Sequence, residues 1–141
     1  EAGGPESVVE ALDKTATRRI GHGVRSIESA ELVARLRDEQ IHLEICPTCN
    51  VQTNAVSTLD AHPVDHLYRA GVPVGISTDT RAVTDVRLTQ EYDRLRDTFG
   101  GTLADFAAIN RQALDAAFAS DEVKRHLAEK LDLAYGREVP S

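Results

Sequence analysis

The 141-residue sequence suits one ordinary domain, and 41% hydrophobic with 28% charged residues is the composition of a globular chain. A formal net charge of -7, with basic residues scattered singly, offers no stripe to neutralise phosphates and argues against nucleic acid or anionic membranes as partners. No apolar run approaches the roughly 18 to 20 residues of a membrane span, and the acidic opening Glu-Ala-Gly-Gly-Pro-Glu is unlike a signal peptide.

The expected location is cytoplasmic, and two cysteines, Cys46 and Cys49, fit a reducing compartment better than a disulfide framework. Along the chain, three short β-rich runs, 18–21, 41–46 and 72–77, alternate with helical patterns. Between the first two, Ser26 or Ser29 caps a helix with the apolar stripe Leu32, Val33 and Leu36. Between the second and third, Asp60 is the expected cap of a short helix that runs through Leu67 and stops at Gly71. Leu88, Tyr92, Leu95 and Phe99 then recur at helical spacing up to Gly100-Gly101. Thr102 with Asp105 reads as a capping box opening the next helix, and Ser120 starts a last one with the stripe Val123, Leu127 and Leu131. The tail 136–141 reads as a frayed end. Residues 1–141 form one unit with no internal boundary.

Parallel strands joined by helices fit an open doubly wound sheet or part of a (β/α)₈ barrel. In both, functional residues gather beyond the C-terminal ends of the strands. Those positions are polar: Gly21-His22-Gly23, Cys46-Pro47-Thr48-Cys49-Asn50 and Ser77-Thr78-Asp79-Thr80. His22 between two glycines has room to act on a ligand, or else it hydrogen-bonds a neighbouring strand. Asp79 is a metal ligand or general base, or else a helix N-cap. The cysteines lack the further ligands of a structural zinc site, and no helical pattern follows Cys46, so they read as small buried side chains. His62 and His66, one helical turn apart, lack a third ligand, and His42 and His126 read as structural or solvated.

Taken together, the segments EAGGPESV from Glu1, RIGHG from Arg19, LEICPTCNVQT from Leu43, His62-Pro63, the Ser77-Thr78-Asp79 triplet and Glu91-Tyr92 resemble the adenosine deaminases. The resemblance covers nearly the whole chain. It implies a (β/α)₈ barrel with one zinc ion at its C-terminal mouth, deaminating adenosine hydrolytically to inosine and ammonia. By that resemblance Glu1 is the acid that protonates purine N1 and contacts the substrate. His22 orients the attacking water and helps deprotonate it, and Asp79 ligates zinc and contacts the same water. Thr80 stands where many members place a second aspartate toward purine N7, and its hydroxyl retains a hydrogen bond for the substrate. The remaining zinc ligands are expected upstream of Glu1.

A barrel of this kind takes about 250 residues, so the expected fold is an α/β C-terminal part of a TIM barrel, about three β/α units followed by helices. The chain alone is then expected to need the N-terminal half or a complementing chain, and to be inactive without it. The alternative is a non-catalytic remnant or interaction module derived from a deaminase.

Overall fold

The computed structural model describes residues 3–136, so Glu1 and all but the first residue of the tail 136–141 lie outside it. Helix α1 (Pro5–Lys14) opens on a proline in its first turn and carries Glu6 near its N-terminus and Lys14 near its C-terminus, as the helix dipole favours. Its buried residues are Val8 and Leu12, one turn apart. Strand β1 (Arg19–Gly21) leads through a 3₁₀ turn (Val24–Glu28) into α2 (Ala30–Asp38), where the Ser29 hydroxyl accepts from the Leu32 backbone N–H. Leu32 and Leu36 are the buried face of α2, as their spacing predicts.

Strand β2 (His42–Ile45) is followed at once by α3 (Pro47–Gln52), which corrects the expectation that no helix begins after Cys46. Pro47 is the reason. Its fixed φ and missing N–H suit the first helical position, a signal stronger than the absent apolar periodicity. Helix α4 (Val64–Arg69) starts after Pro63 rather than at an Asp60 cap, and Gly71 takes the left-handed conformation just past it (φ +86°). Strand β3 (Val74–Ile76) precedes the short α5 (Arg81–Thr84), α6 (Leu88–Phe99), α7 (Leu103–Asp115) and α8 (Asp121–Tyr135).

The strands form one parallel sheet in the order β1-β2-β3, with Leu43 opposite both Ile20 and Val74. Leu43, Ile45, Val74 and Ile76 are buried together with Leu32, Leu36, Leu67, Leu95, Phe106 and Ile109 from the helices. Helix α7 packs closely on β3, where a Cβ added to Gly75 would stand 2.7 Å from His42 Nε2 and 3.1 Å from the Ala113 Cβ. The Gln112 side chain accepts from the Val74 backbone N–H at 3.0 Å, closing part of the outer edge of β3. Helix α8, which packs mainly on α7, buries none of its residues fully, and Val123 and Leu127 of its expected stripe remain exposed. No helix among the described residues is long and apolar enough to cross a membrane.

The Thr102–Asp105 capping box is present, and the same Asp105 carboxylate receives both guanidinium nitrogens of Arg69, at 2.6 and 3.2 Å. Arg69 first, then the Thr102 donors, hold the Asp105 pKa well below the usual carboxylate range. A depressed pKa stabilises the fold above the unfolded value near ~3.9 and loses that contribution as pH falls further. Asp105→Asn is therefore expected to cost about 1.5 kcal/mol near neutral pH. Urea denaturation of the full-length protein should show the gap from wild type shrinking below about pH 4.

Candidate active site

The ladder continues past the strand ends: the His22 backbone N–H donates to Glu44 O at 2.8 Å, and that of Ser77 donates to Ile45 O at 2.9 Å. All three strand ends therefore reach one rim. There His22 and Asp79 both adopt positive φ, +59° and +56°. Such backbone costs a non-glycine residue about 1–3 kcal/mol and concentrates at functional sites. Gly23 follows at φ +63°, and a Cβ on it would lie 2.9 Å from Leu43 Cδ2, so the turn that presents His22 needs glycine.

The two sequence-predicted groups are brought together: His22 Nε2 lies 3.6 Å from Asp79 Oδ2. Cys49 Sγ donates to the same oxygen at 3.1 Å, and Thr80 Oγ1 donates to Asp79 Oδ1 at 3.2 Å. The Cys49 thiol, ahead of Thr80 and His22, holds the Asp79 carboxyl below its ordinary pKa. Cys46 and Cys49 are buried, as expected, but Cys49 also holds a carboxylate, a role for which its sequence setting gave no hint. His22, Cys46 and Asp79 offer ligand atoms that all lie within 4.8 Å of one another. An imidazole nitrogen, a carboxylate oxygen and a thiol sulfur are donors that zinc accepts, so the residues present fit that ion.

Behind this layer stands a second. Asn50 is fully buried and meets His22 Nδ1 through its Nδ2 at 3.0 Å, while its Oδ1 meets His62 Nε2 at 3.2 Å. His62 is not on a helix face with His66: it precedes α4, is 1% exposed, and its Nδ1 accepts from the Val64 N–H at 3.1 Å. Burial pushes its pKa down to about 4. His66 and His126 are exposed, and His42 is buried at the start of β2, away from the rim.

Helix α3 carries Cys49 and Asn50, and Glu91 of α6 fixes where it starts. Both Glu91 carboxylate oxygens, fully buried, accept from the Thr48 backbone N–H at 3.2 and 3.3 Å, and Arg94 bonds the Thr48 hydroxyl. Desolvation raises the Glu91 pKa against the opposing Thr48 bonds and the Arg94 charge. Glu91 had a readable signal, a carboxylate inside the apolar stripe of α6 between Leu88 and Leu95. Glu1 lies outside the described residues.

The sequence model of the adenosine deaminase family matches residues 1–134. The chain belongs to this family. It is 38% identical over 132 residues to an adenosine deaminase from Shewanella pealeana, covering 94% of this chain and 40% of that protein. The crystal structure of adenine deaminase from Arthrobacter aurescens superposes with a TM-score of 0.91 at 28% identity, over 96% of this chain and 41% of that one. The N6-methyl-AMP deaminase of Arabidopsis thaliana gives 0.84 at 32% identity, over 96% of this chain and 40% of that one. The chain thus spans about 40% of the length of the relatives it matches, and its fold is the C-terminal part of a (β/α)₈ deaminase barrel.

In this deaminase segment the Glu91 clamp separates charge from hydrogen bonding. Glu91→Gln keeps an acceptor for Thr48 and removes a buried charge, so its stability should stay within about 1 kcal/mol of wild type. Glu91→Ala strands the Thr48 N–H and should cost about 1–3 kcal/mol, read from urea denaturation of the full-length protein. Equal losses in the two variants would refute the clamp.

Proposed function

We propose that this chain is the C-terminal stretch of a single catalytic domain that deaminates adenosine hydrolytically to inosine and ammonia, with zinc, in the cytoplasm. The observation that carries the reading is the pair His22 and Asp79, 3.6 Å apart on a strained rim, in a chain of the adenosine deaminase family. Asp79 is the group that would hold zinc from this chain, the other ligands coming from outside it. The chemistry that bound zinc supplies is a water nucleophile available near neutral pH.

The residues of this chain divide the remaining work. Attack at purine C6 breaks aromaticity, so N1 must receive a proton as the carbon becomes tetrahedral, and Glu1 is the proposed donor. His22 and Asp79 hold the attacking water in line, the imidazole from one side and the carboxylate from the other. The Cys49 thiol and Thr80 hydroxyl keep the Asp79 carboxylate ionised and aimed. Thr80, exposed beside Asp79, is proposed to hydrogen-bond the purine by turning its hydroxyl hydrogen from Asp79 to the base. Among substrates, adenosine is the first choice, with adenine and N6-methyl-AMP as the competitors that the relatives act on.

The test is turnover by the full-length polypeptide that contains this segment, followed by ultraviolet absorbance and ammonia release on adenosine, adenine and N6-methyl-AMP. His22→Gln should lower kcat by about 10²–10⁴. Asp79→Asn should lose both activity and stoichiometric zinc, measured by atomic emission. Thr80→Val, which removes both the proposed substrate contact and a donor to Asp79, should raise KM about three- to tenfold and lower kcat as well. Residues 1–141 expressed alone should neither retain zinc nor deaminate. Full activity in the Asp79→Asn variant would overturn the assignment.

A further inference from the structure

The contacts behind His22 have a direction that begins at a backbone group. The Val64 N–H cannot reverse, so His62 Nδ1, its acceptor at 3.1 Å, carries a lone pair. His62 is buried, with its pKa lowered to about 4, and as a neutral ring it then bears its hydrogen on Nε2. That hydrogen points at Asn50, so the atom 3.2 Å away must be the amide oxygen, an acceptor. The Asn50 amide nitrogen is thereby turned to His22 Nδ1 at 3.0 Å, where it donates. Turning the amide over would set two donors against each other at fully buried Asn50, which such sites do not tolerate. His22 Nδ1 is left as an acceptor, and the imidazole hydrogen lies on Nε2, the atom 3.6 Å from Asp79 Oδ2.

We propose that Asn50 and His62 are positioning residues that select the tautomer of His22, so that its Nε2–H faces the Asp79 side of the reaction centre. The functional consequence rests on His22 serving the deaminase reaction. In this tautomer His22 donates to an oxygen lone pair in the site and orients a water; its Nε2 already carries a hydrogen, so the share in deprotonating that water that the resemblance implied for His22 is replaced by an orienting role. The relay uses groups from three places, the Asn50 helix, the segment before α4 and the turn after β1, so the tautomer is tied to the packing of α3 and α4.

The direct readout is 15N NMR of the full-length enzyme labelled with 15N-histidine, with the His22 signals assigned by their loss in His22→Gln. The expected result is a pyrrole-type, protonated Nε2 and a pyridine-type Nδ1 in the unmodified protein. Asn50→Asp keeps shape and the His62 bond but replaces the donor by an acceptor, so the hydrogen should move to Nδ1. Its kcat should fall about 10- to 100-fold, the usual effect of a supporting residue, with KM little changed. His62→Gln, which still donates to Asn50, should keep both the tautomer and most of kcat, whereas His62→Phe should lose both. A protonated Nδ1 in the unmodified protein overturns the proposal, as does an unmoved tautomer in folded Asn50→Asp. The unmodified spectrum decides even if a variant fails to fold. The expected tautomer in a protein that deaminates no purine would uphold the relay and reject the proposed reaction, so the two failures are told apart.

Discussion

Leu43 pairs with Ile20 on one side and Val74 on the other, and this shared parallel register is the constraint on which the site depends. Parallel strands that start level also end level, so chain segments that are distant in sequence arrive at one rim. His22, Cys46 and Asp79 each stand one to three residues past a strand end, and that alone brings their ligand atoms within 4.8 Å. A slip of one residue in β2 would send Leu43 and Ile45, both fully buried, to the opposite face. The hydrophobic core therefore sets where the backbone of the rim residues stands, and Cys49, Thr80 and Asn50 hold their side chains.

The polar groups beneath the rim are stabilised by satisfaction rather than by charge. Glu91, Asn50 and His62 are all but fully buried, and each has a hydrogen-bond partner that removes most of the penalty of leaving water. Where partners are lacking, the incomplete barrel shows. His42 Nδ1 and Arg19 Nε are buried without a hydrogen bond among the described residues, and Phe118 is 94% exposed beside the Arg19 guanidinium. β1 and β3 are also the edges of the sheet, whereas parallel sheets are normally paired and covered throughout. The relatives it matches are about two and a half times as long.

What the sequence revealed follows from how local each signal is. The strands, α2, α6 and the Thr102 capping box announce themselves through apolar runs, periodicity and cap chemistry within a few residues. His22 and Asp79 were legible because strand ends are where chemistry collects, while motif resemblance assigned their roles. Helix α3 was hidden because only Pro47 marks it, and its buried residues, Thr48, Cys49 and Asn50, are polar or small. The Asn50–His62 contact was hidden for another reason: twelve residues and a turn separate the pair, and spacing alone suggested His66 as the companion of His62. Long-range polar pairing leaves no periodic trace in a sequence.

The strain at His22 and Asp79 ties these observations together. Two non-glycine residues held at positive φ cost a few kcal/mol in sum, a substantial fraction of the stability of an ordinary domain. The backbone there is overdetermined: the His22 N–H is fixed by Glu44, Ser77 by Ile45, the Asp79 carboxylate by Cys49 and Thr80, and the His22 ring by Asn50. Relaxing either residue to an ordinary conformation would swing its side chain off the rim and strand those donors and acceptors. Motion that relieved the strain would have to break one of these hydrogen bonds.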